Sequence, residues 1–145
     1  MDARLLTALL TSACLLTACT APAGAAVTRC QSSGFSDHTC TLTVERFEKQ
    51  TSATFRSSSA NRGVDIQASF TVRTGTALIQ IHGSDGPAGE ATVSPDNPAE
   101  LTVATVLKMG SRTRDEDPSF SIRIIPTGVV EGLSGDIAYQ TRPRG

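Results

Sequence analysis

Tryptophan is absent from these 145 residues, and there are only one tyrosine and five phenylalanines. So few rings leave little from which to build a sugar-stacking platform or an aromatic cage. Two histidines are thin provision for a metal centre, and no CxxC or HxxxH spacing occurs. Neither sign of charge is in excess: 13 basic residues stand against 14 acidic ones, for a net charge of −1. No basic run reaches the length of a nucleic-acid-binding arm, so nucleic acid is not an expected partner. Long apolar runs are also missing. The longest, Leu5 to Leu16, is twelve residues, short of the roughly 20 that a spanning helix needs. There is no internal repeat, heptad or low-complexity tract.

What is present begins with the leader. The run LLTALLTSACLL follows Arg4 and has the length of a signal-peptide apolar region. Leu16-Thr17-Ala18-Cys19 comes directly after it. An aliphatic residue, a small residue, Ala and then Cys resembles the lipobox of bacterial lipoproteins. The resemblance covers the leader alone and implies cleavage between Ala18 and Cys19, with diacylglyceryl on the Cys19 sulfur. Anchoring at the outer membrane, where the host has one, fits Thr20 at the next position. Each buried CH₂ contributes about 0.8 kcal/mol, so two or three acyl chains hold durably where one holds weakly. Cys14 is a poorer candidate, because Thr11 stands three residues before it. A competing reading is Ala23-Gly24-Ala25 as an ordinary A-x-A cleavage site, which would release a soluble secreted protein. The expected organisation is a signal peptide over 1–18, a flexible tether over 19–28 and one β domain over 29–145.

Cys30 and Cys40 remain for the domain. An even pair in an exported chain reads as a disulfide. A metal site of Cys30, His38 and Cys40 with His82 is the sharper alternative, but the spacing does not support it, and no cofactor or metal is expected.

Along the domain the dominant period is two. Cys40, Leu42 and Val44 alternate with polar residues, as do Val64, Ile66, Ala68, Phe70 and Val72. The pattern returns at Ala77–Ile81, Phe120–Ile124 and Leu133–Tyr139, and more weakly at Ala53–Ser57 and Glu90–Val93. Turn-forming stretches separate them, among them Gly83 to Gly89, Ser94 to Pro98 and Pro126-Thr127-Gly128. The expected fold is all-β: an antiparallel sandwich or small barrel of seven to eight strands. One segment is ambiguous. Asn97-Pro98-Ala99-Glu100 looks like a helix start, yet Thr102, Val103, Thr105 and Val106 are β-branched and the apolar residues keep odd spacing, which favours a strand.

No catalytic set stands out. Gly132-Leu133-Ser134-Gly135 is one residue short of G-x-S-x-G, and adjacency of Ser36, Asp37 and His38 does not give triad geometry. Asp115-Glu116-Asp117 matches no calcium-loop pattern. The reading is therefore a lipid-tethered, non-enzymatic envelope module that binds a protein, glycan or lipid partner through its loops. A periplasmic hydrolase inhibitor, or a small enzyme or metal carrier using His38 and His82, are the alternatives. The last of these requires the two histidines to converge.

Overall fold

Side chains on a strand point alternately to its two faces, so a period-two pattern places every apolar member on one side. The computed structural model describes residues 24–34, 36–57, 61–109 and 117–143. They form eight antiparallel strands and no helix. In chain order these are β1 (Val27–Ser33), β2 (Asp37–Phe47), β3 (Thr51–Arg56), β4 (Gly63–Thr71), β5 (Thr74–Gly83), β6 (Gly86–Val93), β7 (Ala99–Val106) and β8 (Ser119–Arg142).

The last strand organises the others. Its first part pairs with β3 and β5, placing Ile122 opposite Ala53 and Ile81. Its second part pairs with β2 and β4, placing Ile137 opposite Cys40 and Ala68. Between the two parts lie Gly128 and Gly132, with φ of +82° and +67°, in the left-handed region that residues with a Cβ avoid. One strand thus serves two layers: β1-β2-β8-β4-β7, and β3-β8-β5-β6. The links β2–β3, β4–β5 and β6–β7 each carry the chain across.

The layers meet through their apolar faces. Leu42, Val44, Ile66, Phe70, Leu133 and Ile137 are buried from one side, and Phe55, Ala77, Ile79, Ile81, Phe120 and Ile122 from the other. Full burial of one such aliphatic or phenylalanine side chain is worth about 1.5–3 kcal/mol. Phe120, from one half of β8, lies edge-on to Tyr139 from the other half with ring centroids 5.0 Å apart. Phe55 stacks on Phe120 at 5.1 Å. Among the described residues β1, β7, β3 and β6 each pair on one side only, and the Ser84 N–H donates to the Val106 carbonyl where β6 and β7 approach, so the architecture is a sandwich that strand pairing does not close.

The ambiguous segment is a strand. Ser94 and Asn97 exchange backbone hydrogen bonds of 3.0 and 3.1 Å across Pro95-Asp96, and β7 then buries Ala99, Leu101 and Val103 on one face. Pairing with β4 outweighs the capping signal of Asn97.

Three local expectations are corrected. β1 starts at Val27, inside the segment read as tether, and pairs with β2 as a hairpin. The connection expected over Gly83–Gly89 shrinks to Ser84-Asp85, because Gly83 and Gly86 already pair. Pro126-Thr127-Gly128 is not a reversal. Pro126 and Thr127 pair with Ala77 and Thr76, so the strand bends without turning back.

Candidate functional site

The outward side chains of the five-stranded layer are set in rows by its pairing register. One row runs Gln31, Thr39, Ala138, Gln67, Thr102 from β1 across to β7. A second runs Arg29, Thr41, Asp136, Ser69, Glu100, and a third Ser33, Asp37, Gln140, Asp65, Ala104. Two adjoining concavities of about 860 and 610 Å³ lie over these rows, and Thr39, Gln67, Thr102 and Ala138 line both. They form one trough. The small side chain of Ala138 makes its floor, and hydroxyl and amide groups flank it.

The central row carries no charged side chain, and the charges lie in the two flanking rows. Asp37, Asp136 and Glu100 stand on the face with Arg29, while Asp65 is held by Arg142 at 3.1 Å. The described Phe and Tyr side chains are buried, so recognition here would run through hydrogen bonds to Thr, Gln and Ser, which both donate and accept.

Beneath the trough, Cys30 and Cys40 form a disulfide between directly opposed residues of β1 and β2, with Cα atoms 4.1 Å apart. That spacing is the close one of a non-hydrogen-bonded antiparallel pair. The bond ties the trough's outer strand to the sheet.

The histidines do not converge. His38 is on the inner face of β2, stacked on Tyr139 at 4.6 Å, with Ser32 Oγ 2.8 Å from its Nδ1. Its Nε2 is buried without a hydrogen-bond partner among the described residues. His82 is on the outer face of β5 in the other layer, where burial and then the Arg123 guanidinium hold its pKa below the usual 6.5. Burial likewise pushes the Tyr139 phenol above 10, and its hydroxyl donates to the Arg56 carbonyl at 3.0 Å. His38 lines one of the trough's concavities and His82 a separate one on the other layer. Among the described residues no three His, Cys, Asp or Glu cluster as metal ligands would.

Of the other residues singled out in the sequence, Asp37 and His38 point to opposite faces of β2, as strand neighbours must. Ser134 is exposed on the outer face between Thr43 and Thr71, with no histidine in its row. Cys19, Asp115 and Glu116 lie outside the described residues. The alternation puts Asp65, Gln67 and Ser69 on the polar face of their strand. That Thr39, Ala138 and Thr102 lie beside them has no local signal in the sequence.

No protein-family model matches the chain, and no curated protein matches it. Several solved structures are similar to the chain. The CBM36-1 domain of a multidomain xylanase from the hindgut metagenome of Trinervitermes trinervoides is 13% identical with a TM-score of 0.37, over 72% of this chain and 78% of that one. The C-terminal CBM6 of a marine laminarinase from Zobellia galactanivorans is 8% identical with a TM-score of 0.30, over 76% and 89%. The enzymatically active domain of tailspike protein 4 of bacteriophage CBA120 is 14% identical with a TM-score of 0.36, over 81% of this chain but 18% of that one. At these values the likeness carries no argument about ligand or activity.

Proposed function

We propose that the chain is a non-catalytic binding module of the cell envelope, held to a membrane by lipid on Cys19, whose trough takes a neutral, hydroxyl-rich polymer. The row Gln31–Thr39–Ala138–Gln67–Thr102 carries this reading, because both concavities share its centre. Strands lie about 4.8 Å apart, so Gln31 and Thr39 on one side of Ala138, and Gln67 and Thr102 on the other, present groups that donate and accept at regular intervals. A paired sheet is already rigid, which lowers the ordering cost of binding. The row itself has no fixed charge and the flanking rows are mainly acidic, so a neutral glycan suits it better than an anionic one.

The test is affinity electrophoresis of the protein through gels containing a soluble xylan, a β-glucan or a mannan. At least one should retard the parent, and Ala138→Trp should abolish the retardation. The substitution is on an exposed face and should change stability by no more than about 0.5 kcal/mol, which circular dichroism checks. Retardation by none of the three, or retardation that Ala138→Trp leaves intact, would falsify the assignment. The anchor is tested separately. Intact mass of the membrane-extracted protein should show cleavage before Cys19 and added acyl chains, and Cys19→Ser should move the protein out of the membrane fraction. Release of a soluble product cut after Ala25 would instead support secretion.

A further inference from the structure

The second layer carries a concavity of its own on its outer face, about 320 Å³ in volume. Its floor is the row Thr54, Ser121, His82, contributed by β3, β8 and β5. One step along β8 is Ser119, to which Lys108 is tied by two backbone hydrogen bonds of 2.7 and 2.9 Å. One step the other way is Arg123. Two permanent cations therefore stand at the two ends of a floor of hydroxyls, and all of these residues line the cavity.

Among the described residues no carboxylate lines it. On the surrounding elements Glu90 of β6 accepts a hydrogen bond from Gln80 Nε2 at 3.1 Å, and Asp85 sits on the β5–β6 turn. Arg56, opposite Ser119 on β3, adds a further cation to the same face. Gln80 uses its amide on Glu90, so its Oε1 accepts from His82 Nε2–H at 3.1 Å. The neutral imidazole then keeps its Nδ1 lone pair, and proton uptake would turn that atom into another donor.

We infer that this cavity binds a phosphate group, free or as the headgroup of an anionic phospholipid. Lys108 and Arg123 supply charge-assisted hydrogen bonds and Ser119, Ser121 and Thr54 neutral ones, which together suit a compact tetrahedral oxyanion. The inference does not depend on the trough, which lies on the other layer. Binding would also relieve the unfavourable pairing of a protonated His82 with Arg123, so the imidazole pKa should rise when the site fills.

The experiment uses the full-length unlipidated Cys19→Ser protein. In one arm inorganic phosphate is titrated against chloride at matched ionic strength, followed by NMR of the backbone amides and the His82 imidazole. In the other, the protein is co-sedimented with phosphatidylcholine vesicles with or without phosphatidate. Saturable shifts at His82, Lys108 and Ser119–Arg123, with a raised His82 pKa, identify free phosphate as a ligand. Sedimentation that requires phosphatidate identifies the headgroup. In either arm Lys108→Gln with Arg123→Gln should weaken binding by about tenfold or more, the loss expected for charge-assisted hydrogen bonds. Binding no stronger than the chloride and phosphatidylcholine controls in both arms, or undiminished binding by the double variant, overturns the inference.

Discussion

Gly135 lies beneath the ring of Phe70. The two are opposite each other on β8 and β4, and a Cβ built on Gly135 would come within 2.5 Å of a ring carbon. Gly135→Ala should therefore destabilise by about 1–3 kcal/mol through overpacking, and Phe70→Ala by about 3–5 kcal/mol through the cavity left behind. The double variant should cost less than the two summed, since alanine at 135 fills part of the hole. Urea unfolding of the four proteins measures this; strict additivity would show that the contact is not tight.

Two further residues set pH limits. The Tyr139 phenol has a raised folded pKa. Its contribution is complete below the unfolded value of about 10 and is lost as pH rises through the folded value. Tyr139→Phe should lower neutral stability by about 0.5–1.5 kcal/mol through the lost bond to Arg56, yet decline less steeply above pH 10. His82 works the other way. Its folded pKa is lowered, so its contribution is complete above about 6.5 and is lost as pH falls through the folded value. His82→Gln should flatten the acid limb of a stability-against-pH curve, and an unchanged limb would remove His82 as its source.

Among the elements, β1 is the least supported. All seven of its residues are exposed, so the ladder to β2 and the Cys30–Cys40 bond hold it rather than core burial. Closing so short a loop is worth about 2–3 kcal/mol in the chain-entropy picture. Reduction should lower unfolding stability by about that much, and hydrogen exchange should show β1 amides losing protection before those of β4 and β8. Uniform loss across the strands would mean that β1 is integral to the cooperative unit. The same scale explains the strand at β7. A cap at Asn97 is worth about 1 kcal/mol, whereas strand formation buries Ala99, Leu101 and Val103 together. The capping motif was legible, but the burial that overrode it depended on β4 lying alongside.

At the scale of the molecule, the two layers present outer faces of different chemistry. One is a trough dominated by hydroxyls and amides, the other a smaller pocket with Lys108 and Arg123 at its ends. With a net charge of −1 the chain has no strong overall field, so salt should act only where charges are clustered. Raising salt from about 10 to about 150 mM should leave polysaccharide retardation nearly unchanged while weakening phosphate binding. Titrations at the two salt levels would show it, and a trough that loses its ligand with salt would be recognising charge.

The alternation of Val64 to Val72, Ala77 to Ile81 and Leu133 to Tyr139 was enough to name the strands and the residues that each buries. That holds because the direction of a side chain follows from the backbone of its own strand. The pairing of Cys30 with Cys40 was likewise readable, from their even number. Which strands lie side by side was not. Thr39, Gln67, Thr102 and Ala138 come from four strands, and Lys108 meets Ser119 across a long connection. Hydrogen-bond ladders join residues far apart in sequence, and one alternating pattern is compatible with many strand orders. Only the joint burial of the apolar faces in one core selects among them, and that choice also decided that the chain bends at Gly128 and Gly132 where Pro126-Thr127-Gly128 reads as a turn.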